Sequence, residues 1–206
     1  MNGLLCNWDI DEKFNRFFPS CANHTVVGKD KAFMLYQIAQ QAALNKNCVA
    51  EIGVFRGGTA KIIAESFKKR SNEIYLFDTF LGMPKVDADK DLHKQGDFDN
   101  TSLQEVQSYL KEYSNITFIQ GFFPGTGKMV EDKKFCFVHI DVDIYRSVMD
   151  CCEFFYSKMI RGGIMVFDDY GVLTCPGAKQ ATDEFFIDKP ERIISLVTGQ
   201  CFIIKV

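Results

Sequence analysis

The sequence predicts an α/β fold: a seven-stranded, mostly parallel sheet with helices on both faces and a C-terminal antiparallel β-hairpin. Three observations carry this. Apolar runs rich in Val, Ile and Phe alternate with segments of helical periodicity, the pattern of a buried parallel sheet under crossover helices. Two of those runs, Phe135–Asp143 and Gly163–Tyr170, end in carboxylates. At the C-terminus, Arg192–Thr198 and Cys201–Val206 read as two strands joined at Gly199-Gln200, a two-residue hairpin signal.

The elements follow in order. Residues 1–28 form an N-terminal segment or lid, in which Phe14, Phe17, Phe18 and Pro19 can pack over the core. A helix is expected over Asp30–Leu44, with Leu35, Ile38, Ala39 and Ala42 on one face, ended by Asn45-Lys-Asn47. Cys48–Gly53 is the first strand. The next helix carries Ala60, Ile63, Ala64 and Phe67 on one side, and Glu73–Asp78 is the second strand. The polar stretch 82–101 is longer than a connection needs and reads as a substrate-side loop, a functional lid or a disordered segment. Leu103, Val106, Leu110 and Tyr113 mark another helix before the strand Ile116–Gly121. Pro124–Gly127 leads into a short polar helix, and the fourth strand ends at Asp141. Val148, Cys152, Phe155 and Met159 then face inward on a helix, with Arg161-Gly-Gly163 expected as its cap. The fifth strand ends at Asp168-Asp169. Pro176-Gly177 opens a helix with Ala178, Ala181 and Phe185 expected to be buried.

Composition narrows the function classes. The 206 residues suit a single domain spanning 1–206, and 47% hydrophobic content supplies its core. A net charge of −3 argues against a nucleic-acid footprint. No stretch has the apolar length of a membrane span. Met1–Asp9 lacks the charged start and apolar core of a signal peptide. The eight cysteines include no C-x-x-C and read as scattered buried thiols of a cytoplasmic protein.

The candidate chemistry lies at the strand ends. Asp141 and Asp168-Asp169 leave neighbouring strands at the carboxyl edge of the sheet, where open α/β folds bind ligands. Carboxylates that close repel unless a cation sits among them, and hard oxygen ligands suit Mg²⁺ or a similar ion. Aspartate before a helix is also a common N-cap, but three acids at two strand ends exceed what capping requires. Glu51-Ile-Gly53, followed by Gly57-Gly58-Thr59, turns the first strand into a helix whose free N–H groups suit an anion. The spacing departs from the dinucleotide fingerprint, which disfavours a nicotinamide oxidoreductase, and the acid before the glycine suits a cationic ligand. Tight packing of this turn is the alternative. Asp78, ending the second strand, is placed to accept from ribose hydroxyls or to cap its own turn. His139 shares its strand face with Asp141 and reads as a satisfied core histidine. His93 and Lys94 read by default as residues of a solvated loop, with reach to substrate as the alternative, and Tyr145 and Tyr170 as flanking residues that shape the pocket.

Five segments together resemble the macrocin O-methyltransferase (TylF-like) family: Glu51–Thr59, Leu76–Pro84, Val138–Tyr145, Gly162–Gly171 and Pro176–Phe186. They occur in the family's order and span about residues 30–190. The resemblance implies the class I methyltransferase fold, S-adenosylmethionine as methyl donor and Mg²⁺. It implies that Glu51 and Gly53 flank the methionine part of the donor, with Gly57 in the same turn and Thr59 on its carboxylate. Asp78 would hold the ribose, and Gly121 and Phe122 would border the adenine. Asp141, Asp168 and Asp169 would hold the metal, and Asp141 would double as the catalytic base. Catechol-type relatives carry a lysine three residues after the first acid, where this chain has Ile144. The implied acceptor is a hydroxyl of a sugar, on a natural-product glycoside, a nucleotide sugar or a glycan. A catechol-type acceptor and a non-catalytic donor-binding domain are the alternatives, and a homo-oligomer stays open.

Overall fold

The structure, a computed structural model, describes residues 6–206; the first five residues of the N-terminal segment lie outside it. The chain runs α1 (Asn7–Ile10), α2 (Glu12–Phe17), α3 (Lys29–Ala42), β1 (Cys48–Ile52), α4 (Gly58–Phe67), β2 (Ile74–Asp78), α5 (Leu103–Tyr109) and β3 (Ile116–Gln120). It continues β4 (Phe135–Ile140), α6 (Tyr145–Phe155), β5 (Met159–Phe167), α7 (Pro176–Phe186), β6 (Ile194–Ser195) and β7 (Cys201–Ile204). The seven strands lie in the order β3-β2-β1-β4-β5-β7-β6. The first five are parallel, and β7 is antiparallel to both β5 and β6.

Alternate residues of the strands feed two cores, as the period of a strand requires. Val49, Leu76, Phe137 and Val166 face α3, α4 and α5, with Phe14 of α2 in the same cluster. Ala50, Phe77, Val138 and Phe167 face α6 and α7. The expected inner faces of α3 and α4 are buried as read. On α7 the buried aromatic is Phe186; Phe185 is only half-buried. Cys21, Cys136, Cys151, Cys152, Cys175 and Cys201 are buried thiols. No helix among the described residues is long and apolar enough to cross a membrane.

Two local readings are corrected. Arg161-Gly-Gly163 is not a helix cap. Helix α6 stops at Phe155, a single 3₁₀ turn follows at Tyr156–Lys158, and Met159 already begins β5. The pairing of β4 with β5 jumps from Phe135↔Met159 to Phe137↔Ile164, so the glycines serve a bulge, with Gly162 at φ +76°. The bulged segment pairs with the end of the chain, through Gly162 N–H to Lys205 O at 2.7 Å and Lys205 N–H to Gly163 O at 2.8 Å. The terminal hairpin turns through Val197-Thr198-Gly199, not through two residues. Gly199 N–H donates to Leu196 O at 3.1 Å and Leu196 N–H to Gln200 O at 2.8 Å. Gly199, at φ +87°, is the left-handed residue that a three-residue turn with a bulge needs.

Candidate active site at the carboxyl edge of the sheet

Strand order reverses between β1 and β4, the place where parallel α/β sheets open a crevice for ligands. The strand ends step in register across it. Gly121 N–H donates to Asp78 O, Gly53 N–H to Phe77 O, Asp141 N–H to Ile52 O and Asp168 N–H to Ile140 O, at 2.9–3.0 Å. Gly53, Asp78, Asp141 and Asp168 are thus delivered to one edge by strands that the sheet holds in register. A cavity of about 330 Å³ lies over this edge, within the range of small-molecule sites. Gly53, Thr59, Asp78, Gly121 and Phe122 line one end, and Asp141, Asp168 and Asp169 line the other. Glu51 and Gly57 do not line it. Glu51 is fully buried on β1 behind the wall, and Gly57 sits at φ +86° against Val106 of α5.

Asp78 is more heavily engaged than a ribose partner alone requires. Its Oδ2 accepts from Val54 N–H at 2.7 Å and Phe55 N–H at 2.8 Å, and its Oδ1 accepts from Phe80 N–H at 2.7 Å. It therefore holds the turn between β1 and α4 in place. A carboxylate offers about four lone-pair sites, so capacity for one donor from a ligand remains. Gly53 is glycine for packing reasons: at φ +89°, a Cβ there would lie 1.7 Å from the backbone oxygen of Asp141.

A buried chain of charges joins the two ends of the cavity. Glu51 and His139 are paired positions on β1 and β4. His139 Nδ1 lies 3.0 Å from Glu51 Oε1, and its Nε2 faces Asp168 Oδ1 at 3.5 Å. Burial alone would lower the imidazole pKa; Asp168 and Glu51 outweigh it and raise it to about 10, which favours the protonated ring. Glu51 Oε2 remains buried without a hydrogen-bond partner. Asp168 also takes Lys31 Nζ on Oδ2 at 2.6 Å and Gln200 Nε2 on Oδ1 at 2.8 Å. Burial would raise Asp168, but His139 and Lys31 hold it below the usual carboxylate range. For Asp141 and Asp169 the pull of His139 and Lys31 is outweighed: burial followed by neighbouring carboxylates pushes both well above that range.

This imbalance bears on whether the residues suit a divalent cation. The edge gathers Asp141, Asp143, Asp168 and Asp169 against Lys31 and His139, and three of the four acids, all but Asp168, are driven toward the protonated form. An added cation would relieve that repulsion, and carboxylate oxygens are the donors a magnesium-class ion prefers. By its chemistry the donor set therefore fits, and Asp141 and Asp168 offer ligand atoms within 4.8 Å of each other.

Lys31 and Cys175 carried no sequence signal as site residues. Lys31 reaches Asp168 from α3, 137 positions away in the chain. Asp143, at φ +58°, donates its N–H to Asp169 Oδ2 at 3.1 Å and lines the cavity. His93 is only 16% exposed and lines the cavity with Cys175. Lys94 is exposed. Tyr145 and Tyr170 do not shape the cavity: their hydroxyls donate to Glu184 at 2.6 Å and Asp183 at 2.7 Å on the outer side of α7. Ile144 is buried where a catechol-type lysine would stand.

Among known proteins, the chain is 27% identical over 186 residues to mycinamicin III 3''-O-methyltransferase of Micromonospora griseorubida, covering 82% of this chain and 72% of that one. It is 25% identical to 8-demethyl-8-(2,3-dimethoxy-alpha-L-rhamnosyl)-tetracenomycin-C 4'-O-methyltransferase of Streptomyces olivaceus, covering 82% and 71%. The structure superposes on the O-methyltransferase NovP with a TM-score of 0.75 at 24% identity, over 89% of this chain and 82% of that one. It also superposes on an O-methyltransferase from Bacillus cereus in complex with SAH, with a TM-score of 0.61 at 12% identity, over 100% and 93%. These structures share its class I methyltransferase fold. The profile of the macrocin-O-methyltransferase (TylF) family matches residues 11–193, and a match of that extent shows that the chain belongs to this family of methyl-transferring enzymes.

Proposed function

We propose that this protein transfers the methyl group of S-adenosylmethionine to a hydroxyl of a sugar, with a magnesium-class cation held by Asp141, Asp168 and Asp169. One observation carries the reading. The three aspartates and the Gly53–Asp78 end share a single cavity, so a donor at one end and an acceptor at the other meet between them. The sugar rests on the relative whose name specifies a rhamnosyl group, and the donor on the fold neighbour solved with SAH. Ile144 supports a sugar over a catechol-type acceptor, because no lysine stands there.

Each residue has a role in this reading. Thr59, at the start of α4, receives the donor's carboxylate at a helix N-terminus. Glu51, with an unpartnered buried oxygen, lies behind the donor's cationic part. Asp78 accepts from the ribose, while Gly121 and Phe122 border the base. His139 links Glu51 to Asp168 and keeps the two ends in fixed relation. When bound, the cation supplies the Lewis acidity that makes an acceptor hydroxyl easier to deprotonate. The acceptor oxygen bonds to the methyl carbon as the carbon–sulfur bond breaks, the sulfur keeps the electron pair, and Asp141 takes the proton. Holding the two reactants in line is the protein's main contribution.

The test is methyl transfer to a panel of sugar acceptors, followed by mass spectrometry. Turnover should vanish with EDTA and return with Mg²⁺. Asp141→Asn should lower kcat while leaving SAH affinity within about twofold. Full turnover in EDTA, or an Asp141→Asn enzyme with unchanged kcat, overturns the assignment.

A further inference from the structure

Beside the three aspartates lies a cluster of different chemistry. His93 comes from the loop between β2 and α5, Asp143 from the turn after β4, and Cys175 from the residue before α7. His93 Nε2 is 3.5 Å from Cys175 Sγ and 3.6 Å from Asp143 Oδ1, and Cys175 Sγ is 3.5 Å from Asp143 Oδ1. Around tetrahedral zinc, bonds of about 2.3 Å to sulfur and about 2.0–2.2 Å to nitrogen and oxygen place the ligand atoms roughly 3.3–3.6 Å apart. The three side chains therefore form one face of such a tetrahedron. Among the described residues, this is one of two groups whose ligand atoms converge this closely.

The surroundings complete the pattern. His93 Nδ1 lies 3.1 Å from Asp97 Oδ2, the carboxylate–histidine pairing that orients a metal-binding imidazole and leaves Nε2 as the ligand. Asp143 is held in the left-handed region with its N–H on Asp169, so its carboxylate is presented without needing the cation. His93, Asp143 and Cys175 all line the cavity.

We propose that His93, Asp143 and Cys175 form a site for a zinc-class divalent cation, separate from the three aspartates, whose open fourth position takes a water or an acceptor hydroxyl. Imidazole and thiolate select zinc or cobalt over magnesium, whereas an all-carboxylate set selects the reverse. The two sites would therefore hold different ions on one sheet edge. On binding, the Cys175 thiol releases its proton to solvent and binds as thiolate.

The experiment uses the full chain, stripped with chelator and titrated with Co²⁺ and then Zn²⁺. Co²⁺ should give a thiolate-to-cobalt charge-transfer band that Zn²⁺ removes and Mg²⁺ does not. Cys175→Ser should abolish the band and His93→Gln should weaken it. Asp168→Asn should leave it in place. Asp97→Asn, a half-exposed change remote from the cation, should lower Zn²⁺ affinity about 10–100-fold. Absence of the band in the native chain, its persistence in Cys175→Ser, or unchanged affinity in Asp97→Asn overturns the proposal. Circular dichroism checks that each variant is folded, and Asp97→Asn decides the matter if Cys175→Ser is not. Mg²⁺-restored turnover is a separate readout, so failure here leaves the methyl-transfer reading standing.

Discussion

Replacing Gly53 with alanine tests how the sheet positions the acidic edge. The substitution has two costs. Gly53 sits at φ +89°, and an L-residue held in the left-handed region loses about 1–2 kcal/mol. The new Cβ would also lie 1.7 Å from Asp141 O and 2.7 Å from its carbonyl carbon. That backbone cannot swing aside freely, because Asp141 N–H is bonded to Ile52 O at 2.9 Å. Forcing β1 and β4 apart is an overpacking cost of about 1–3 kcal/mol. The sum is about 2–5 kcal/mol. Gly96 provides the control: its φ is +91°, and nothing lies within 4 Å of a Cβ built there. Gly96→Ala should carry only the backbone cost, so the two variants should differ by about 1–3 kcal/mol. Urea unfolding of both, compared at equal m-values, measures the difference. If Gly53→Ala falls within about 0.5 kcal/mol of Gly96→Ala, the close approach of β1 to Asp141 is not a constraint and the reasoning fails.

Asp78→Ala strips the acceptor from three backbone N–H groups and, in the proposed reading, from the donor's ribose; stability and SAH affinity should each fall by about 1–3 kcal/mol, read by melting and by calorimetric titration. Unchanged values for both would remove Asp78 from the site. Asp91, on the long loop, is buried and accepts from Tyr145 N–H at 2.8 Å, capping α6 from 54 positions away. Asp91→Ala should cost about 1 kcal/mol and speed amide exchange over residues 83–97; exchange equal to the parent's would show that other contacts hold the loop. Glu191 is enclosed with Lys205 Nζ at 2.6 Å and Tyr156 Oη at 2.7 Å. Burial would raise its pKa from the ordinary 4.5, but those donors outweigh it and bring it to about 2. Its stabilisation is present above pH 4.5 and fades as the pH falls toward 2, and Glu191→Gln should flatten that part of the acid-unfolding curve. An identical curve would sink this account.

Five parallel strands, the inner faces of α3 and α4, and the acids at two strand ends are all legible in the amino-acid sequence alone. Each is a local property: strand and helix periods repeat every few residues, and a carboxylate ending an apolar run must lie at a sheet edge. The family motifs are local in the same sense, since four lie within one strand-to-turn segment each and the fifth, Pro176–Phe186, is a single helix. The tertiary structure decided the rest. Gly162 and Gly199 read as a cap and a two-residue turn because a positive φ serves caps, bulges and hairpins alike, and only the pairing partner tells them apart. Lys31 on Asp168 and Asp91 under α6 join segments 137 and 54 positions apart. So does the meeting of His93, Asp143 and Cys175, which come from three separate loops. Such contacts leave no periodic trace in a single sequence, because their geometry is set by how the sheet stacks its strands and not by the residues beside them.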